Sequence, residues 1–348
     1  MGHNRWHPDI EPVLVARPGT PVTISAPVGT GSQIGRSSTH ADLMSLSFED
    51  DLLAGPIAIE GAEPGDLLVV EIADIETDDF GFTAVFPGFG FLADIFLDPY
   101  IVKWELKGGV ARSDALPGVR VSGSPFPGTI GVAPSRRLMD SLRSREVQLA
   151  SRTGVDLSAF SPPPIPAEVD DGLAMLPPRE IGGNLDVKHL AAGARLVFEV
   201  QTPGALVSLG DIHFAQGEGE VCGSAIETGA DVTLRFEVVK DPSWRPRFPV
   251  FESKVETSGQ YVATTGIPIA DDGTNELMDV GLAARRALLE MIDYLASTYG
   301  FEREAAYVLA SVAGELRISQ IVDLPNALVS LLLPTDVFED YRSPAYAR

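Results

Sequence analysis

Through the first 135 residues, apolar positions come in short alternating runs separated by Pro-Gly, Gly-Asp and Gly-Gly pairs, the pattern of strands joined by tight turns. In EPGDLLVVEIADIE, Leu67, Val69 and Glu71 alternate against Leu68, Val70 and Ile72 after a Pro64-Gly65 turn, which predicts a strand. Nearly the same phrase returns as AAGARLVFEVQT from Ala191, and a weaker one, RPGTPVTIS, stands at Arg17. The repetition allows a duplicated β unit, although a turn followed by a strand is common.

Residues 136–160 fit a helix or a loop, and SPPPIPAEVDDGLAMLPPRE from Ser161 is too rich in proline for a helix or a central strand. This divides the chain into an N-terminal mainly-β part (1–160), a connector (161–180) and a part (181–348) that combines β segments with an α/β tail, packed as one compact unit. Strands continue to about Lys240, and VFESKVETSGQYVATTGIP has the look of an edge strand or hairpin. From Thr274 the period changes: Leu277, Gly281, Ala284, Leu288, Ile292, Leu295 and Tyr299 recur at three or four residues, with Gly300 in the place of a helix C-cap. A second helix is predicted from Phe301 through Ala305, Val308 and Val312, with Glu302 and Glu304 at its positive end. LRISQIV then reads as a strand and PNALVSLLL, entered through a proline, as a last short helix. The fold class is therefore mainly β with α/β additions.

Composition adds three constraints. A chain of 348 residues that is 45% hydrophobic, with mean hydropathy +0.11, can bury a large core as one large domain or two smaller ones. A formal net charge of -23 repels phosphate backbones and anionic lipid surfaces, so neither nucleic acid nor membrane is an expected partner. The single cysteine, Cys222, cannot form an internal disulfide, and MGHNRWHPD lacks the apolar core of a signal peptide, so a cytoplasmic location is expected. The most apolar run, 327–333, falls far below the roughly 20 residues needed to span a bilayer.

The richest candidate chemistry lies in GDIHFAQGEGEVCG, which sets an aspartate, a histidine and two glutamates among four glycines. On a strand, residues two apart share a face, so Asp211 and His213 would project together, as would Glu218 and Glu220 if the chain stayed extended. Asp, His and Glu are ligands for zinc and similar ions, and a catalytic site needs about three protein ligands with an open position for water. The same residues also make an ordinary glycine-rich acidic turn. Upstream, PPREIGGNLDVKH places Asn184 and Asp186 on one face with His189 nearby. With five histidines in all (His3, His7, His40, His189, His213), mixed carboxylate and histidine ligation is easier to supply than a three-histidine site. His3 and His7 read either as surface residues at a frayed terminus or as part of a site, and His40, in a polar loop, reads either way. Cys222 reads as a small buried residue, because Glu218, Glu220 and Glu227 nearby oppose the thiolate a nucleophile needs. No G-x-S-x-G elbow and no G-x-x-x-x-G-K-[ST] phosphate loop occurs.

Five segments, GPIAIEGAEPGDLLVVEI, PFPGTIGVAPS, PPREIGGNLDVKHL, PGALVSLGDIHFAQGEGEVCGSAIE and AYVLASVAGELRISQIVDLPNALVSLLLP, together resemble the acetamidase/formamidase family, in the family's order and over residues 2–338. The resemblance implies a β-sandwich core with C-terminal helices packed on it, and hydrolysis of short aliphatic amides to the carboxylate and ammonia. It makes Asn184 and Asp186 the family's G-G-N-x-D segment, and Asp211, His213, Gln216 and Glu220 its G-D-x-H-x-x-Q-G-x-G-E segment. The expected roles are Asp186, Asp211 and His213 around a divalent metal ion, zinc or calcium; Glu220 as proton carrier; Gln216 or the glycine-loop amides as oxyanion donors; and Asn184 toward the substrate. Two residues depart from the family pattern, Glu218 where aspartate is expected and Glu315 in GELRIS where G-D-L-K-I-S is more usual. HNRWHPDIEPV looks like the formamidase branch, and GEVCGSAIE with the C-terminal third like the acetamidase branch. A homodimer is the expected assembly. The rival expectations are the same scaffold acting on another polar C-N or C-O bond, and a non-catalytic β-sandwich that binds small ligands or structural calcium.

Overall fold

The computed structural model describes residues 2–31, 33–47, 52–90, 97–115, 121–155, 162–216, 220, 222–255, 259–301, 315–335, 338 and 340–343. Two large sheets face each other. One is an 8-stranded antiparallel sheet with the order Glu315–Gln320, Leu328–Pro334, Gly259–Gly266, Val250–Val255, Arg195–Glu199, Leu67–Thr77, Ala230–Val239, Val22–Ala26. The other, 11-stranded, is built around Leu53–Ile59, Val207–His213, Phe126–Gly131 and Phe80–Val85. Strands from before and after the proline-rich connector interleave in both: Leu53–Ile59 pairs with Val207–His213, and Leu67–Thr77 lies between Arg195–Glu199 and Ala230–Val239.

The strand alternation read at Leu67 explains how the layers stack. Leu68, Val70 and Ile72 enter the core between the sheets with Ile57, Phe126, Ile130 and Leu209, while Leu67 and Val69 point to the opposite face. That face is covered by the helix Val280–Tyr299, whose Ala283, Ala287, Met291, Tyr294 and Leu295 pack on Val197, Val250, Val262, Leu331 and Leu333. Where both faces of this sheet are buried its strands carry apolar runs, as at 67–70 and 331–333, whereas Ala230–Val239 and Val22–Ala26 nearer its edge alternate. The two similar phrases at Leu67 and Arg195 are neighbours in this sheet, pairing Val70 with Leu196 and Val69 with Val197.

The predicted long helix starts at Val280, where the Asp279 side chain accepts from Leu282 N at 2.8 Å, and ends at Gly300 with φ 70°. Of the predicted ridge, Ile292 and Leu295 are buried with Ala283, Ala287, Met291 and Tyr294, while Ala284, Leu288 and Tyr299 are partly buried and flank the contact. The ambiguous 136–160 segment forms the helix Arg136–Thr153, burying Met139, Leu142, Arg145 and Leu149. The helix predicted from Phe301 lies outside the described residues. PNALVSLLL is a correction: instead of a helix it supplies the strand Leu328–Pro334, between Gly259–Gly266 and Glu315–Gln320. A short apolar run has no periodicity to separate the two states, and here Leu328 and Leu332 fill one core while Val329, Leu331 and Leu333 fill the other. VFESKVETSGQYVATTGIP is a hairpin, and both of its arms lie inside the sheet. No helix among the described residues is long and apolar enough to cross a membrane.

Candidate active site

Val207–His213 pairs on one side with Phe126–Gly131 and on the other changes partner, from Leu53–Ile59 at Val207 and Leu209 to Glu227–Thr228 at Ile212 and His213. Asp211 stands at this change with φ 54°. Asp186, just past the strand Gly182–Asn184, has φ 48°, and Glu220 has φ 45°. Left-handed backbone is unfavourable for a residue with a Cβ and persists where surrounding contacts over-determine it. Those contacts are present. Gly128 O accepts from Leu185 N and Asp186 N at 2.8 and 3.1 Å, Gln216 Nε2 donates to Asp186 O at 2.9 Å, and Gly223 N donates to Glu220 O at 2.7 Å. Gly128 must also be small, because a Cβ there would come within 2.6 Å of Asp186 Oδ1 and 2.8 Å of His213 Cε1.

The three unusual backbones aim their carboxylates at one imidazole. His213 Nε2 lies 3.3 Å from Glu227 Oε2, 3.4 Å from Asp211 Oδ1 and 3.9 Å from Glu220 Oε1, and Nδ1 lies 3.9 Å from Asp186 Oδ1. Nδ1 also meets Gln216 Oε1 at 2.8 Å, and the ring edge packs on Phe126 with centroids 5.0 Å apart. A fifth carboxylate stands behind: Asn184 Nδ2 donates to Asp186 Oδ2 at 2.8 Å and to Asp323 Oδ2 at 2.7 Å, while its Oδ1 accepts from the Thr129 hydroxyl. Asp186, His213, Glu220, Glu227 and Asp323 are all buried, and Asp211 keeps 27% of its side chain exposed and so marks an open side.

Crowding like charges in an interior shifts their titration. Burial, then the charges of Glu220 and Asp323, pushes the Asp186 carboxyl well above its usual range. Burial likewise raises Glu220 strongly, His213 opposing and Asp323 adding to it. Asp323 is pushed up to about 6, mainly by burial, against its hydrogen bonds to Asp186 and Asn184. For His213, burial disfavours the cation, but Glu227 and Asp211 outweigh it and hold the imidazolium well above its ordinary range. Burial also works against the Asp211 carboxylate, yet His213 keeps that carboxyl below normal.

The acetamidase/formamidase family model matches residues 1–340. The chain belongs to this family. It is 35% identical to a formamidase of Methylophilus methylotrophus, covering 97% of this chain and 89% of that protein. It is 34% identical to an acetamidase of Mycolicibacterium smegmatis, covering 88% and 84%. A solved gamma lactamase from Delftia acidovorans superposes with TM-score 0.69 at 32% identity, covering 97% of this chain and 90% of that one.

The family resemblance implies a metal, and the side chains present fit a divalent cation. Ligand atoms of Asp186, His213 and Glu220, and of Asp211, His213 and Glu227, each lie within 4.8 Å of one another. Asp186 Oδ1 is moreover buried with no hydrogen-bond partner, as an atom awaiting a positive neighbour would be.

All six residues expected at the site, Asn184, Asp186, Asp211, His213, Gln216 and Glu220, converge here. Glu218 lies outside the described residues, as does the side chain of Glu315. Among the other histidines, His189 packs edge-on against Tyr261, and His40 Nδ1 accepts from Ile101 N at 2.9 Å. His3 and His7 are buried rather than frayed, because the terminus pairs as Gly2–His3 with Leu53–Ile59 and as Arg5–Trp6 with Leu173–Ala174. His3 Nε2 meets Ser208 Oγ at 2.7 Å, and burial pushes its pKa down to about 4. Burial also raises the Cys222 thiol, with Glu220 and Glu227 adding to the rise. Sequence reasoning missed Glu227, Asp323, Thr129 and Gly128. All four stand inside family-like segments, Gly128 and Thr129 in PFPGTIG, Glu227 in CGSAIE and Asp323 in QIVDLP, which was a usable signal, although no local spacing singles any of them out as a site residue.

Proposed function

We propose that this chain hydrolyses short aliphatic amides, of the acetamide or formamide type, to the carboxylate and ammonia at the His213 cluster, with water activated beside a divalent cation, zinc or calcium. That it is a hydrolase of amide carbon-nitrogen bonds follows from its family. The supporting observation for the rest is the convergence of four carboxylates on one imidazole at a partly open site.

Amide hydrolysis has two difficulties: the carbonyl resists attack, and the nitrogen leaves only once protonated. His213, Asp211 and Glu227, with Asp186 behind them, would hold the cation. When bound, a divalent ion supplies Lewis acidity, polarising an amide carbonyl and lowering the pKa of a neighbouring water toward about 7. Glu220 then carries protons. Burial makes its carboxyl hold a proton more tightly than an ordinary glutamate does, and we assign Oε1 to accept the water proton and deliver it to the departing nitrogen. Asn184 has both amide protons and its oxygen engaged, so we assign it to holding Asp186 in place of the substrate contact expected from sequence. Gln216 Nε2 donates to Asp186 O, so we assign Gln216 to that turn in place of the oxyanion contact expected from sequence, and the glycine-loop amides at 217–219 lie outside the described residues.

A second reading, cyclic rather than linear amides, is favoured by the likeness to the Delftia acidovorans gamma lactamase. Ammonia release from formamide, acetamide and propionamide, run beside ring opening of 2-pyrrolidinone, separates the two. Linear amides should release ammonia, exhaustive chelation should stop the reaction, and zinc or calcium should restore it. Ring opening without ammonia from any linear amide would establish the second reading, and full activity in protein shown to be metal-free would sink the cation.

A further inference from the structure

We propose that Gln216 is a positioning residue that decides which nitrogen of His213 faces the cation. The inference rests on the reading of the cluster as a cation site and concerns this chain's own hydrogen bonds. Gln216 is held at both ends of its side-chain amide. Its Nε2 donates to Asp186 O at 2.9 Å, and a backbone carbonyl can only accept, so the orientation of the amide is assigned by that partner. The oxygen end consequently faces His213 Nδ1 at 2.8 Å. An amide oxygen also only accepts, so Nδ1 must carry a hydrogen.

The consequence falls on the other nitrogen. A histidine that binds a metal does so through a nitrogen without a proton, while its second N–H is commonly held by a neighbouring acceptor that fixes the ring. With Nδ1–H committed to Gln216, only Nε2 can offer a lone pair. Nε2 is also the nitrogen that Glu227, Asp211 and Glu220 surround at 3.3, 3.4 and 3.9 Å, whereas the carboxylate on the Nδ1 side is Asp186 at 3.9 Å. Gln216 thus selects the Asp211, Glu220, Glu227 side of the ring as the cation-facing side, with Asp186 as support. The same side chain fastens the carbonyl of Asp186, whose backbone is left-handed with φ 48°. One amide therefore couples the imidazole orientation to the Asp186 turn.

Calorimetric titration of metal-stripped protein with zinc ion alone, together with long-range proton-nitrogen NMR of the zinc-loaded histidine rings, tests this. The wild type should carry zinc on Nε2 of His213. Gln216→Met keeps the bulk but neither accepts nor donates in this way, and it should lose about 10- to 100-fold in zinc affinity, the usual cost of removing such a supporting partner. Its His213 signals should no longer report Nε2 alone. Gln216→Glu retains an acceptor for Nδ1–H and should keep zinc on Nε2, which also covers the case of a Gln216→Met protein that does not fold. Zinc on Nδ1 in the wild type, loss of Nε2 binding in Gln216→Glu, or a folded Gln216→Met that binds as the wild type does would each overturn the assignment. A wild type that binds no zinc would overturn the cation reading beneath it, and that outcome is distinct because in the others the wild type binds.

Discussion

Two buried groups of charges lie a few residues apart on this chain and follow opposite rules. Along the helix Arg136–Thr153, Arg145 meets Glu180 through two bonds of 2.8 and 3.0 Å, and Glu146 accepts from Arg179 Nε at 2.7 Å. Each carboxylate there has its own guanidinium. Burial pushes the Glu180 carboxyl up, but the Arg145 bonds more than offset it and hold it below the usual range. Around His213, beginning six positions further on at Asp186, four carboxylates share one imidazole, and Asp186 and Glu220 are driven up instead. A balanced pair satisfies itself and serves the fold, whereas surplus negative charge in an interior is maintained only where it has a use, such as holding a cation or handling protons. The backbone agrees. Asp186, Asp211 and Glu220 all have positive φ, and neither Glu146 nor Glu180 does.

The sharpest way to break this contrast is at Glu220. Glu220→Gln is nearly isosteric, so fold and metal content should survive while kcat for amide hydrolysis falls by about 10²- to 10⁴-fold with little change in KM. Loss of the metal would make Glu220 a ligand, and normal turnover would reduce it to a structural carboxylate.

Stability measurements on metal-free protein compare the two groups directly. Glu180→Leu strands Arg145 in the interior and should cost about 3–5 kcal/mol in urea unfolding. Asp186→Asn should move the other way and stabilise, since it removes a carboxylate crowded by Glu220 and Asp323 in the interior and asparagine accepts left-handed backbone. Shifts of the same sign in both variants would dissolve the distinction.

A smaller effect should appear in the pH dependence of Tm. Asp323 has a folded value of about 6 against 3.8 for the free side chain, so the folded state holds its proton more tightly. Its stabilising contribution is complete below about 4 and is lost as pH rises through about 6. Asp186, Glu220 and His213, all raised, extend the loss to higher pH, whereas lowered Asp211 contributes stability that is present above about 3.8 and lost only as pH falls below it. Glu180, lowered, contributes stability that is present above 4.5 and lost as pH falls. Metal-free protein should therefore melt at lower temperature as pH rises from about 4 past 6, and bound zinc should flatten that slope, because a cation favours the ionised carboxylates. A slope indifferent to zinc would separate the cluster from cation binding.

How much of this could be read in advance depends on the range of the interaction involved. Alternation at Leu67, the helical period before Gly300 and the acidic run from Asp211 to Glu220 arise between residues a few positions apart, and each emerged where its pattern pointed. Asp211 and His213 did share a face, although as neighbours on a strand that bends where its partner changes rather than on a regular one. Asn184 and Asp186 were likewise local.

By itself, then, the sequence determined a mainly-β chain with one strongly marked helix, and it named the segments whose side chains meet around His213, because period, capping and turn chemistry are written within a few residues. Tertiary structure alone decided the rest. It made 328–334 a strand, since a uniformly apolar run takes its state from the two cores that receive it. It buried His3 and His7 by pairing the terminus into sheets. It also brought Gly128 and Asp323 to Asp186 from 58 positions before and 137 after, contacts that leave no local period because chain folding, and no spacing along the chain, brings those atoms together.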